Sequence, residues 1–324
     1  MNGFAVRCTA LLVAGCAALI APAAMAETFP ARPIRLIVPF APGGSNDIVG
    51  RAVAVELSER FKQQVIVDNK PGAGGVIGAE LVARAAPDGY TLLLISSSFT
   101  MNNTILKLPF DPDRAFEPVA LLGAGPSVLA VPVSLPVKTV GELVTYARDN
   151  PGKLNIASTG VGSFQHFAAE LFKLRTKTDM AVVQYKGGNP ALADLAAGHV
   201  QVGIGSLIQV VPFLQSGKIR ILGIAGKTRS PLLPDVPTVS EAGVPGFEAV
   251  NWWGILAPAG TPPAVVERLD SEIRAVLTNP AVIKKFTDEG AEASKLDRAA
   301  FTDYLKSETR NWAAVAKEAK IKAE

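Results

Sequence analysis

The stretch Ile34-Arg35-Leu36-Ile37-Val38-Pro39-Phe40-Ala41-Pro42-Gly43-Gly44-Ser45-Asn46-Asp47-Ile48-Val49-Gly50-Arg51 decides the fold. An apolar, β-branched run stops at Pro39, Ala41-Pro42-Gly43-Gly44 turns the chain, and Ser45-Asn46-Asp47 opens a segment with helical spacing. A strand, a glycine turn and a helix N-terminus therefore follow one another directly. The first N–H groups of a helix have no partner inside it and sit at the positive end of its dipole. Glycines let a bound group approach that backbone closely. The stretch reads as one jaw of an anion clamp, with its glycines and Ser45 as contacts. Asp47 either touches the ligand or binds the N–H groups of its own turn, and the second role is favoured.

Outward from this jaw, strands and helices alternate. Residues 65–67 form a short strand, 71–75 (Pro-Gly-Ala-Gly-Gly) a second glycine loop, 76–86 a helix and 90–95 an apolar strand ending in Ser96-Ser97-Ser98. Such alternation predicts a mostly parallel sheet covered on both faces. Residues 102–118 read as a long polar connection, and 119–133 as an apolar run that crosses between two lobes. The opening arrangement then recurs: strand 154–158, turn Thr159-Gly160-Val161-Gly162-Ser163, and a helix whose first turn carries His166. A further glycine turn at 186–190 precedes a short helix. Residues 247–256, with Trp252 and Trp253, return to the first lobe, and helices over 261–277, 281–289 and 298–320 complete the chain. Two crossings predict a discontinuous first lobe, residues 27–125 with 249–324, and a second lobe over 126–248.

The chain has 324 residues, 32 Lys and Arg against 29 Asp and Glu, and two cysteines, Cys8 and Cys16. Mean hydropathy is +0.27 and the pI about 8.8. No basic cluster with interleaved aromatics occurs, so no nucleic-acid partner is expected. Arg7, the apolar run 9–20 and Ala24-Met25-Ala26 form a cleavable signal peptide over 1–26, which predicts that the mature protein is exported. Val13-Ala14-Gly15-Cys16 also resembles a lipidation site, but the apolar run continues past Cys16 to the A-x-A site, which favours simple cleavage.

Several site types fail on spacing. Gly160-x-Gly162 lacks the third glycine of a dinucleotide fingerprint, since Gln165 stands there, and no Walker A sequence is present, so no cofactor is expected. With two histidines, His166 and His199, and no cysteine after cleavage, a metal site is not expected. Ser163 and His166 could be written as a secreted hydrolase, but no G-x-S-x-G elbow surrounds them. His166 is read either as ligand-facing or as bonded to its own turn. Two similar Gly/Ser turns over a hundred residues apart are better explained as facing jaws, each N–H to a carboxylate being worth about 1.5–3 kcal/mol.

Over its mature length the sequence resembles the Bug-type (TctC-like) solute-binding proteins of tripartite tricarboxylate transporters. The likeness rests on Phe29-Pro30-Ala31-Arg32-Pro33-Ile34-Arg35, Val38-Pro39-Phe40-Ala41-Pro42-Gly43-Gly44 with Asp47, and Asn69-Lys70-Pro71-Gly72-Ala73-Gly74-Gly75. Further matches are Pro87-Asp88-Gly89-Tyr90-Thr91-Leu92, Tyr185-Lys186-Gly187-Gly188, Pro234-Asp235-Val236-Pro237-Thr238, Glu241-Ala242-Gly243, and Trp253-Gly254 with Ala257-Pro258-Ala259-Gly260-Thr261-Pro262. The resemblance implies an α/β, two-lobed periplasmic-binding-protein type II fold closing on a small carboxylate. It implies that the loops 41–47 and 159–163 pinch the ligand, bringing in Ala41, Pro42, Gly43, Gly44, Ser45 and Asp47 from one side. Thr159, Gly160, Gly162, Ser163 and His166 belong to the other, while Ser96, Ser98, Tyr185 and Ser206 line the pocket. It implies a monomeric, non-enzymatic receptor serving a two-subunit membrane permease, or in some members a sensor kinase. One departure is Gln201, where the family often has an acidic residue.

Overall fold

A computed structural model of the chain describes residues 29–288 and 290–322. The signal peptide and the alternative lipidation site at Cys16 lie outside the described residues. Ten strands and ten α-helices follow in the order β1 (Ile34–Val38), α1 (Ser45–Phe61), β2 (Val65–Asn69), α2 (Val76–Ala83), β3 (Thr91–Ser96), α3 (Ser97–Ile105), β4 (Phe116–Pro132), α4 (Val140–Asp149), β5 (Leu154–Ser158) and α5 (Phe164–Thr176). They continue with β6 (Met180–Gln184), α6 (Gly188–Ala197), β7 (Val202–Ser206), α7 (Leu207–Leu214), β8 (Ile219–Ile224), β9 (Val250–Pro258), α8 (Pro263–Leu277), α9 (Pro280–Asp288), β10 (Glu292–Ala293) and α10 (Arg298–Glu318).

The sheet runs β2-β1-β3-β9-β4-β7-β5-β6, with β8 and β10 also paired to β4. The expectation of a mostly parallel sheet holds only for the outer strands. β1 pairs in parallel with β2 and β3, and β5 with β6 and β7. The middle is antiparallel: β9 pairs with β3 and β4, and β4 with β7 and β8. The reason lies in β4, which is buried along most of its length and belongs to both halves. Its residues 116–126 pair with β9, and 127–132 with β7 and β8. Residues 102–118, expected as a connection, instead contain the last four residues of α3 and the start of β4. α2 also stops at Ala83, three residues short of the expected end.

Separate apolar cores cover the two halves. Ile34, Leu36, Val53, Leu92, Trp253 and Ile273 meet in the first, and Leu129, Val140, Ile156, Phe167, Phe172 and Phe247 in the second. The last helix joins them. Near the N-terminal end of α10, Phe301 is fully buried in a cluster with Ile37, Leu93 and Trp252. Gly254 makes room for it: a Cβ there would stand 2.5 Å from the Phe301 ring. Near its C-terminal end, Trp312 and Ala316 are buried in the second core, where Trp312 meets Phe167 edge-on at 5.8 Å. Between them Glu308 accepts hydrogen bonds from both Trp252 Nε1 (2.9 Å) and Trp312 Nε1 (3.2 Å). Trp312→Ala is therefore expected to destabilise the protein by about 3–5 kcal/mol. Denaturant unfolding checks this, and a loss below about 1 kcal/mol would show that the helix end is not part of the core.

Candidate functional site

The first jaw is built around Asp47, whose carboxylate is buried. Oδ2 accepts from Gly43 N (2.9 Å) and Arg51 Nε (3.0 Å), and Oδ1 accepts from Asn69 Nδ2 (3.0 Å). Burial alone would push this carboxyl up, but the donors from Arg51, Gly43 and Asn69 together outweigh it and hold the pKa below the ordinary 3.8. Asn69 Nδ2 also donates to Phe40 O (3.0 Å), which ties the turn to the end of β2. Gly43, at φ +78°, closes against the opposite lobe, since any Cβ there would collide with the Asn189 amide.

The second jaw is satisfied internally. Ser163 caps α5 by accepting from His166 N (3.2 Å), and its hydroxyl also exchanges a hydrogen bond with Ser158 Oγ (3.2 Å). His166 Nδ1 accepts from Gly162 N (3.2 Å), so that nitrogen carries no proton while the turn is formed. The first amide of α5, Phe164 N, donates to Ser98 Oγ (2.9 Å) of α3 across the interface. Gly160 N donates to Gln184 Oε1 (3.1 Å) and Thr159 Oγ1 to Gln165 Oε1 (2.8 Å). Ser163 is fully buried and its hydroxyl is engaged by His166 N and Ser158 Oγ.

Between the jaws lies a chamber lined by Phe40, Ala41, Gly44, Ser45, Asn46, Ser96, Ser98, Thr159, Phe164, Gln165, Gly187, Gly188, Gln209 and Asn251. Of the expected residues it gathers Ala41, Gly44, Ser45, Ser96, Ser98 and Thr159. Pro42 is exposed beside it. Gly43, Asp47, Gly160, Gly162, Ser163 and His166 support the two turns without lining the chamber. Tyr185 is likewise not among the lining residues. Its hydroxyl donates to Asp194 (2.7 Å), and burial together with that carboxylate pushes its pKa up to about 12. Ser206 is fully buried and accepts from Asn251 Nδ2 (3.1 Å).

The residues sequence reasoning missed are Asn46, Gln165, Gln209 and Asn251, together with the start of α6 at Gly187-Gly188. Asn46 bridges Ser96 Oγ (3.3 Å) and Trp253 Nε1 (3.0 Å). The Gly187-Gly188 turn had a visible signal in its sequence; Gln209 and Asn251 had none.

No lining residue is charged. Helix ends supply the polarity instead. The N-caps of α1, α3 and α6 are Gly44, Ser96 and Gly187, all on the chamber wall, and none of them makes a side-chain capping bond. Three uncapped N-termini favour an anion placed among them. Two apolar cavities adjoin the chamber, one sharing Phe40, Ser96 and Ser98 with it and the other Thr159, Gln165, Gly188 and Gln209. Among the described residues no group of three His, Cys, Asp or Glu side chains could hold a metal, and no helix is long and apolar enough to cross a membrane.

The depressed Asp47 pKa fixes a pH dependence. Its contribution to stability is complete above the unfolded value and is lost as pH falls through the lower folded value. The stability gap between wild type and Asp47→Asn is expected to be constant above about pH 5 and to shrink below it. Denaturant melts across that range check the sign, and a gap that widens on acidification would overturn the assignment.

Residues 49–321 match the family described as "Tripartite tricarboxylate transporter family receptor". The chain is 38% identical to Protein BugT of Bordetella pertussis over 308 residues, 94% of each chain. It superposes on the R. palustris protein Rpa4515 with adipate at a TM-score of 0.88, with 36% identity over 91% of this chain and 99% of that one. MatC (Rpa3494) from Rhodopseudomonas palustris with bound malate gives a TM-score of 0.85, 34% identity, and coverage of 89% and 99%. The recurrent glycine jaws, the two-lobed α/β architecture and these matches converge: the chain belongs to the TctC family of tripartite tricarboxylate transporter receptors, among the Bug-type solute-binding proteins.

Proposed function

We propose that the protein is a periplasmic receptor that captures a small organic carboxylate by closing two lobes on it and hands it to a two-subunit membrane permease. The ligand class spans di- and tricarboxylates, acidic amino acids and aromatic acids. The observation that carries this reading is the chamber wall, where three uncapped helix N-termini meet and no charged side chain lies. The adipate and malate named with two similar structures support the same class. Donors of this kind, at about 1.5–3 kcal/mol each, are sufficient in number for micromolar capture at about −8 kcal/mol after association costs.

The moving units in this reading are residues 27–125 with 249–324, and residues 126–248. The signal peptide over 1–26 is removed on export, and the mature receptor acts as a monomer without enzymatic activity. The main-chain N–H groups of Gly44, Ser45 and Gly188 hold the carboxylate, with the hydroxyls of Ser45, Ser96 and Thr159 beside them. Asp47 and His166 shape the turns. Closure follows only from contacts the ligand makes with both lobes together.

A thermal-shift screen of organic acids tests the reading: at least one is expected to raise the melting temperature, and a flat response across the panel would remove its support. Two variants test the jaws. At Gly43→Val the new side chain collides with Asn189 of the opposite lobe, and at Gly160→Val it is forced to φ +120°. Both are expected to abolish binding with circular dichroism unchanged, and unaltered affinity in both would show the jaws to be misassigned.

A further inference from the structure

Asn251 stands where β9 leaves the second lobe for the first, and it is 2% exposed. Its Nδ2 donates to Ser206 Oγ (3.1 Å) at the start of α7 and reaches Ser45 Oγ (3.5 Å) at the start of α1. One amide group therefore touches a hydroxyl from each lobe. Because both serine oxygens accept from Asn251, their own protons are left to point elsewhere, as donors. The other end of the amide is different. Asn251 Oδ1 is buried and has no hydrogen-bond donor among the described residues. A buried carbonyl without a donor is costly, and the usual remedy is a partner supplied from outside the chain.

Asn251 also lines the chamber, whose other polar side chains are Ser45, Asn46, Ser96, Ser98, Thr159, Gln165 and Gln209. Several of these are already committed within the protein. Asn46 binds Ser96 and Trp253, Ser98 accepts from Phe164 N, and Thr159 donates to Gln165. Asn251 thus brings to a chamber flanked by helix N-termini a side chain whose carbonyl has no donor among the described residues. A second carboxylate placed against Oδ1 would meet an acceptor and be repelled, whereas a hydroxyl or ammonium group would satisfy it.

Resting on the carboxylate-receptor reading above, we propose that Asn251 is the specificity-determining residue of this site. It selects acids that carry a hydroxyl or ammonium donor beside the carboxylate over the same acids without it. The carboxylate is held by the helix ends and by the Ser45 hydroxyl that Asn251 orients. The neighbouring donor closes the open valence of Oδ1. The Ser206–Asn251–Ser45 bridge makes that recognition sensitive to both lobes.

Matched acids differing by one hydroxyl test the proposal on the full mature chain by calorimetry: malate with succinate, lactate with propionate, and mandelate with phenylacetate. In each pair that binds, the hydroxylated member is expected to bind about tenfold tighter, as one satisfied buried carbonyl implies. Asn251→Ala is expected to bring that ratio close to one. Should this variant fail to fold, Asn251→Asp keeps the shape and places a carboxylate in the chamber. Its affinity for both members of a pair is expected to fall at neutral pH and recover as the introduced carboxyl protonates, and affinities unchanged at neutral pH would overturn the assignment. Equal affinities within every pair for the wild type, or a ratio unchanged in Asn251→Ala, would overturn the assignment while leaving the receptor reading intact. If no acid in this panel or in the wider screen binds, the receptor reading fails and this inference falls with it.

Discussion

The constraint on which the molecule depends is that one strand serves two sheets. Seventeen residues of β4 at about 3.3 Å each span roughly 55 Å, longer than a typical strand in a small domain. Such a strand cannot stay regular throughout, and its pairing with β9 and β8 shifts register at three places. The irregularities lie on both sides of residue 126, where its partners change from β9 to β7 and β8. Backbone hydrogen bonds hold β4 in both halves and so tie the two together. The helices whose N-termini face the chamber follow strands attached directly or indirectly to β4, so their convergence is a consequence of topology.

The chamber is polar without charged side chains. A lysine or arginine among the lining residues would bind any anion strongly and hold a long side chain in the cleft, whereas helix ends present fixed dipoles that need no reorganisation. The two jaws divide the work unequally. The first leaves the start of α1 uncapped and uses Asp47, with Arg51 and Asn69, to hold its turn in shape. The second places Ser163 and Ser98 on the first amides of α5. Gln201, the departure from the family pattern, plays no part in this: it accepts from Asn155 N and donates to Gly198 O, closing a local turn in the second lobe.

Much of the scaffold was legible in the sequence because it is local. The strand–turn–helix order at residues 34–51 and its recurrence at 154–166 follow from residue spacing alone, as does the preference for Asp47 as a turn-holder. What was not legible depends on distance along the chain. Asn251 meets Ser45 across 206 residues, and no pattern near Asn251 announces that contact. Helix α3 escaped because its start reads as the end of a strand at Ser96-Ser97-Ser98 and its last turn as the polar connection from Asn102, whereas its position is set by packing beside α5 and α10. The helical spacing of α10 likewise does not say which core its tryptophan enters, and Trp312 is buried in the second. The mixed direction of the central strands was hidden for the same reason: alternation of elements does not reveal that β4 and β9 run against their neighbours.

The placement of the tryptophans has a spectroscopic consequence. All three, Trp252, Trp253 and Trp312, are buried. Trp253 donates to Asn46 on the chamber wall, while Trp252 and Trp312 share the Glu308 carboxylate on the helix that joins both cores. Indole emission depends on the charges and hydrogen bonds around the ring, so the protein carries an intrinsic optical reporter. It requires no added label.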